Sequence, residues 1–229
     1  GIKEKKDNFL LLFSLAVVTI LFFNILSFQD KMQGNWPITG YITALIAVSA
    51  LFQRFSLSLR RGGRKLLQAF FLLALIFSFS LTLVIHLQAL FSLFPIPVDM
   101  DTTNALYGWK ELGKEVSRIR KETPGKVKPF ILAHSHQVAS ELSFYTDKQD
   151  ETYQVKGNGP PKQYNYWNDF NSLIGRDAIY VKEGDGQIGK DVRAAFRSIV
   201  KKDSLKIYRR GKLLKTFSLY RCRDFRGWQ

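Results

Sequence analysis

Apolar residues come in three long blocks at the start of the chain and in short periodic runs after it. FLLLFSLAVVTILFFNILSF (9–28) is 20 residues without a charge. A helix of that length rises about 30 Å, the thickness of a bilayer's hydrocarbon layer. ITGYITALIAVSALF (38–52) follows the GNWP stretch as a second, shorter block. LLQAFFLLALIFSFSLTLVIHLQALFSLF (66–94) is a third, long enough to tilt. The pattern predicts three transmembrane helices within residues 1–97. The first block is too long and too aromatic for a signal-peptide core, and no small-residue cleavage site follows it.

Beyond the Pro-rich FPIPVD (94–99) the periods shorten. TNALYGWKELGKEVSRIRKE (103–122) carries Ala105, Leu106, Trp109, Leu112, Val116 and Ile119 at helical spacing. KPFILAH (128–134) reads as a buried strand, QVASELSFYT (137–146) as a helix and ETYQVK (151–156) as a short strand. GNGPPKQYNYWNDF (157–170) has the Gly, Asn and Pro content of a loop. DAIYV (177–181) then reads as a strand and DVRAAFRSIV (191–200) as a helix. SLKIYRR (204–210) and KLLKTFSLYRCRD (212–224) flank Gly211 as a C-terminal β-hairpin. Strands alternating with helices predict a soluble α/β domain over 98–229, with a mixed sheet whose edge is antiparallel.

Charge sharpens this division and orients it. Residues 1–99 hold 9 Lys/Arg and 4 Asp/Glu, and residues 100–229 hold 25 and 15, for a net +15 over 229 residues. Lys3, Lys5 and Lys6 precede the first block. Arg54, Arg60, Arg61, Arg64 and Lys65 lie between the second and third, while QDKMQGNWP (29–37) has one Lys and one Asp. The excess of cations places the N-terminus and the 54–65 loop in the cytoplasm. Three crossings then put the α/β domain on the outer side, periplasmic if the membrane is a bacterial inner membrane. Cys222 is the only cysteine, so no intrachain disulfide forms. The chain opens at Gly1 without a methionine, which suits a piece of a longer product.

GDGQIGKD (184–191) is one residue away from the phosphate-cradling loop of nucleotide hydrolases. Gly184, Gly189 and Lys190 are in place, but Asp191 stands where a hydroxyl should hold Mg²⁺. A carboxylate there repels the phosphates, and ATP and GTP are scarce outside the cytoplasm. The expected structure is a turn at EGDG (183–186), with Asp191 as an N-cap or first-turn acid of the following helix.

Ligands of α/β sheets bind beyond the carboxyl ends of the strands. That directs attention to HSHQ (134–137) and KQYNYW (162–167). His136, Gln137, Glu141, Gln163, Tyr164 and Trp167, with His134, Asn165 and Tyr166 nearby, offer amides and aromatic faces. Sugar rings suit such a set, because apolar faces stack on Trp and Tyr while hydroxyls bond amides. Core packing of Tyr164 and Trp167, with the histidines capping a helix, is the competing expectation. His134 and His136 lack third and fourth ligands nearby in sequence, so no metal site is expected. The last 44 residues hold 13 Lys/Arg and 3 Asp/Glu. On the outer face of a membrane, anionic lipid is the expected partner and nucleic acid is not.

The order of these features resembles the C-terminal end of bacterial family 39 glycosyltransferases, relatives of protein O-mannosyltransferases and the lipid A aminoarabinose transferase. The resemblance covers nearly the whole chain. It is carried by NWP (35–37) before a span, a D-x-T-N-x-L-Y-G-W helix, ASELSFYTD and QYNYW; SELSFY (140–145) and QYNYW (163–167) are its most specific parts. It implies a C-type membrane fold and a polyprenyl-phosphate sugar donor used at the outer face, with a lipid, glycan or protein acceptor. It also implies a catalytic acid in the first outer loop, which would precede Gly1, and leaves room for a divalent metal in the full-length enzyme. No cofactor is expected in this piece. Asn35 and Trp36 would sit near the lipid-sugar cavity. The family often has His-Trp-Pro where this chain has Asn35-Trp36-Pro37, which removes a titratable group. Two other classes fit the same pattern: a non-catalytic membrane-anchored protein that binds sugar or peptide, and a scaffold subunit whose basic hairpin docks on anionic lipid.

Overall fold

A computed structural model describes residues 2–29, 35–125, 127–156, 163–167 and 169–228. It divides into two compact units, Gly1–Val84 and Ile85–Gln229.

The first unit is helical. α1 (Ile2–Leu26) and α2 (Ile38–Ser58) pack on each other, and α3 (Arg61–Phe91) begins after a two-residue break. All three are long and apolar enough to cross a membrane. Their apolar side chains are mostly exposed, and within the apolar stretch of α3 none is buried. Water would penalise such a surface heavily, whereas lipid tails would not. α1 and α2 approach through small residues, since Ala16, Gly40 and Ala47 are buried. Arg64 closes the end of α2 by donating from Nε to the Ser56 carbonyl at 2.7 Å. A cation there complements the negative end of the helix dipole. α2 overruns its predicted span at its C-terminal end and α3 at its N-terminal end, because serines and arginines are tolerated in a helix.

The second unit is a five-stranded sheet of order β2-β1-β3-β5-β4. β1 (Phe130–Ala133) lies between β2 (Thr152–Gln154) and β3 (Ala178–Glu183), all parallel. β5 (Lys212–Phe225) runs antiparallel to β3 and to β4 (Phe196–Arg209). This is the mixed sheet with an antiparallel edge that the sequence pattern predicts.

The period of two in the strands sorts the core into two faces. Ile131, Ala133, Ile179, Val181, Phe217 and Leu219 meet α4 (Trp109–Glu122) and α5 (His136–Tyr145). Phe130, Leu132, Ala178, Tyr180, Tyr220 and Cys222 face an aromatic layer that includes Phe196 and Phe225. The Phe130, Phe196 and Phe225 rings stand 5.1–6.3 Å apart. Burial there pushes the Cys222 thiol up to about 12, so it stays protonated.

Three local expectations change. The 103–122 segment is not one helix: a 3-10 turn (Thr102–Leu106) precedes α4, and Gly108 between them takes φ 89°. Ala105 and Leu106 are therefore exposed rather than in the core. The 191–200 segment is helical only in α7 (Lys190–Ala194), and Phe196 onward is strand β4. Phe196 and Ile199 obey helical spacing, but pairing with β5 along the whole hairpin satisfies far more backbone groups. The 157–170 loop contains a short helix, α6 (Gln163–Trp167), while residues 157–162 lie outside the described residues.

The last turn of α3 belongs to this second unit and is tied to the hairpin tip. Arg209 donates from Nη2 to the Gln88 and Ala89 carbonyls at 2.7 and 2.9 Å. From Nη1 it donates to Asn104 Oδ1 at 2.6 Å and Thr103 Oγ1 at 3.0 Å, 3.5 Å from the Asp101 carboxylate. Its guanidinium also lies 3.9 Å from the Tyr107 ring centre. The Thr103 hydroxyl holds the Asp101 carboxyl below its usual range; burial opposes this, and Gln88 and Arg209 add to it.

Candidate functional site

The face of the sheet that carries α4 and α5 turns polar at the carboxyl end of its parallel strands. Glu183 continues the inward series Ile179, Val181 along β3. Lys215 begins the series Phe217, Leu219 along β5, directly opposite Ile207 of β4. Both charges therefore fall on a core-facing register at the rim of the core.

Lys215 is half-buried. Its Nζ donates to the Ala105 and Tyr107 carbonyls at 2.9 and 3.2 Å and lies 4.2 Å from the Trp109 ring centre. Burial pulls its pKa down, against the fields of Glu183 and Glu141, which raise it. Burial likewise lifts the Glu141 carboxyl above its usual range, opposed by Lys215. A cation and a carboxylate thus lie within each other's field in a partly dry setting, where charge interactions are stronger than in water.

His134 leaves the end of β1. Its Nδ1 accepts from the Glu183 backbone N–H at 3.3 Å, which makes Nε2 the protonated nitrogen of the neutral ring. Burial lowers its pKa; Glu183 works against this and Lys182 with it. Ser135 caps α5 by accepting from the Val138 N–H, so the hydroxyl between the two histidines performs the capping.

His136, Gln137 and Glu141 share α5, with Gln137 exposed and the other two half-buried. α6 docks on α5, where Ser140 Oγ and Tyr164 Oη are 3.1 Å apart. The Tyr164 ring also packs against the core. Gln163 is exposed, and Tyr166, 73 % exposed, offers an aromatic face to solvent. The side chains of Asn165 and Trp167 lie outside the described residues. Asn35 and Trp36 belong to the helical unit. There the Asn35 carbonyl accepts from Ile38 N–H at 3.2 Å, and Trp36 meets the edge of Phe23 with ring centres 6.2 Å apart. Among the described residues no group of three or more His, Cys, Asp or Glu could hold a metal ion.

Lys215 and Glu183 were not among the residues singled out by motif. The signal for them is register: a charged residue two positions before Phe217, or two after Val181, falls on an inward face. The set can donate and accept hydrogen bonds through Lys215, Glu141 and the His134 Nε2–H.

GDGQIGKD is a structural turn. Gly184 takes φ 82°, and its carbonyl accepts from Ser218 Oγ at 2.9 Å. Asp185 accepts from the Ser204 and Ser218 hydroxyls at 3.1 and 3.2 Å, with Lys201 Nζ at 3.5 Å. Its carboxyl is held below the usual range, first by Ser204. Asp191 lies in the first turn of α7, which Gly189 caps.

Compared with known proteins, the chain has no match among protein-family models, curated proteins or solved structures.

Proposed function

We propose that this chain is the C-terminal portion of an integral-membrane glycosyltransferase. In this reading it moves a sugar from a polyprenyl-phosphate donor to a lipid, glycan or protein acceptor at the outer face of a bacterial inner membrane. The observation that carries the reading is the contact between the two most specific motifs of the resemblance. SELSFY and QYNYW are separated by 17 residues of chain, yet Ser140 and Tyr164 meet at 3.1 Å beside Glu141. The three helices long enough to cross a membrane supply the setting that a lipid-linked donor needs.

Within that reading the rim of the sheet binds the acceptor. Glu141, with its raised pKa, and Lys215, with its lowered one, pair with hydroxyls, and Tyr166 lies under an apolar sugar face. These are positioning groups. The catalytic acid belongs to an outer loop preceding Gly1, and a divalent metal, if the enzyme uses one, would be held by residues outside the set described above.

The test is sugar transfer by membranes carrying the whole reading frame, supplied with a radiolabelled polyprenyl-phosphate sugar. Transfer is expected, and Glu141→Gln should raise KM for acceptor about ten-fold with little change in kcat, the mark of a lost binding contact. Absence of transfer would overturn the transferase reading, and a Glu141→Gln enzyme with unchanged KM would remove the rim from acceptor binding. A reading frame that starts just before Gly1, with no further spans, would favour the non-catalytic binding protein instead.

A further inference from the structure

The tip of the β4–β5 hairpin combines features that the transferase reading does not use. The turn is Arg210-Gly211, with φ 51° and 75°. This is a type I′ turn, whose central residues both need positive φ, and Asn, Asp or Gly ordinarily fill the first place. An arginine there is strained, and strain that persists at a tip points to a use for the side chain. Arg210 donates to the Phe91 carbonyl, the last residue of α3. The tip is thus fastened to the end of an apolar helix, where a spanning helix meets lipid headgroups.

Beside it lies a pocket of ≈ 200 Å³ whose wall includes Phe94, Ile96, Arg209, Arg210, Lys212 and Leu214. Arg209 lines it with Nε buried and unpartnered. On the opposite face of the hairpin, Tyr208 and Leu213 are paired across the strands and are 56 % and 47 % exposed. The tip is therefore apolar on both faces and cationic at its end. Residues 204–223 contain seven Lys/Arg and no Asp/Glu. Tyr at the interface, apolar side chains below it and cations at phosphate level are the elements of a headgroup-binding surface.

We propose that the Arg210–Lys212 tip docks on anionic phospholipid headgroups of the membrane that α3 crosses, with phosphates held by Arg210 and Lys212 over the Phe94–Ile96 pocket. The inference rests on α3 as a span and not on sugar transfer. It holds equally for the non-catalytic readings, so an inactive enzyme leaves it standing.

Hydrogen exchange on the full chain in lipid nanodiscs tests it. Discs of phosphatidylcholine alone are compared with discs containing phosphatidylglycerol. A third arm adds inorganic phosphate to the phosphatidylcholine discs. Amides of 206–215 should exchange more slowly with phosphatidylglycerol, and high salt should remove the difference. Each cation is worth about a five-fold partition factor at such a surface. Lys212→Gln should therefore weaken the protection several-fold, and the Arg210→Gln/Lys212→Gln pair should abolish it. The single variant keeps the Arg210–Phe91 contact, and unchanged exchange in β1 and β3 verifies the fold in both. Equal exchange of the wild-type tip in both lipids would overturn the proposal. Protection reproduced by inorganic phosphate would also overturn it, by assigning the site to a soluble anion.

Discussion

His134 shows how one half-buried ring couples the sheet's rim to pH. Its Nδ1 holds the Glu183 N–H, and burial makes the neutral form the favoured one in the folded chain. As pH falls through the ordinary histidine value of 6.5, the unfolded chain takes up a proton that the folded chain resists. The folded state then loses stability, and the β1–α5 junction loses an acceptor. Glu183 tempers the effect and Lys182 adds to it. Thermal unfolding between about pH 7.5 and about pH 5 should fall less steeply for His134→Gln than for the wild type. Equal slopes would mean that another group is responsible. The lysine at 215 teaches a related lesson. Motif reading found Glu141 but passed over its electrostatic partner, because a lysine in a basic hairpin looks solvated. Only the inward register of Phe217 and Leu219 betrays it.

At the scale of elements, α4 and α5 are held at a spacing that only glycine allows. A Cβ on Gly113 would stand 2.3 Å from the Tyr145 carbonyl oxygen. Alanine gains up to about 1 kcal/mol in helix propensity, but overpacking against backbone costs about 1–3 kcal/mol and the carbonyl cannot swing aside. Gly113→Ala should destabilise the domain by about 1–2 kcal/mol net, measured by denaturant unfolding. A more stable variant would show that α4 and α5 can separate freely. These two helices, the parallel strands and the hairpin turn were all legible, since each carries a period and a cap or a Gly at its end. β4 was not. It pairs on one side only, and register shifts between Lys201 and Asp203 and between Ile207 and Tyr208 break its period of two. What remains in 191–200 imitates a helix until the partner strand is known.

For the molecule as a whole, the sequence divides apolar from charged chain sharply enough to read both the membrane region and the α/β domain. The amides and aromatic rings expected at the strand ends were legible as chemistry but not as geometry. Ser140 and Tyr164 meet only because α6 forms within a stretch whose composition reads as loop. Everything proposed for the sheet's rim and the hairpin tip depends on the domain lying across the membrane from the arginines between α2 and α3. Arg60, Arg61, Arg64 and Lys65, between two helices long enough to cross a membrane, are the basis of that expectation. Reporter fusions measure this directly. A phosphatase that works only outside the cytoplasm should be active when fused after Gln229 and silent when inserted at Arg60, and a fluorescent protein that matures only inside should give the reverse. Fluorescence after Gln229 would put the domain in the cytoplasm, away from any outer-face donor, and contradict the proposed function at its root.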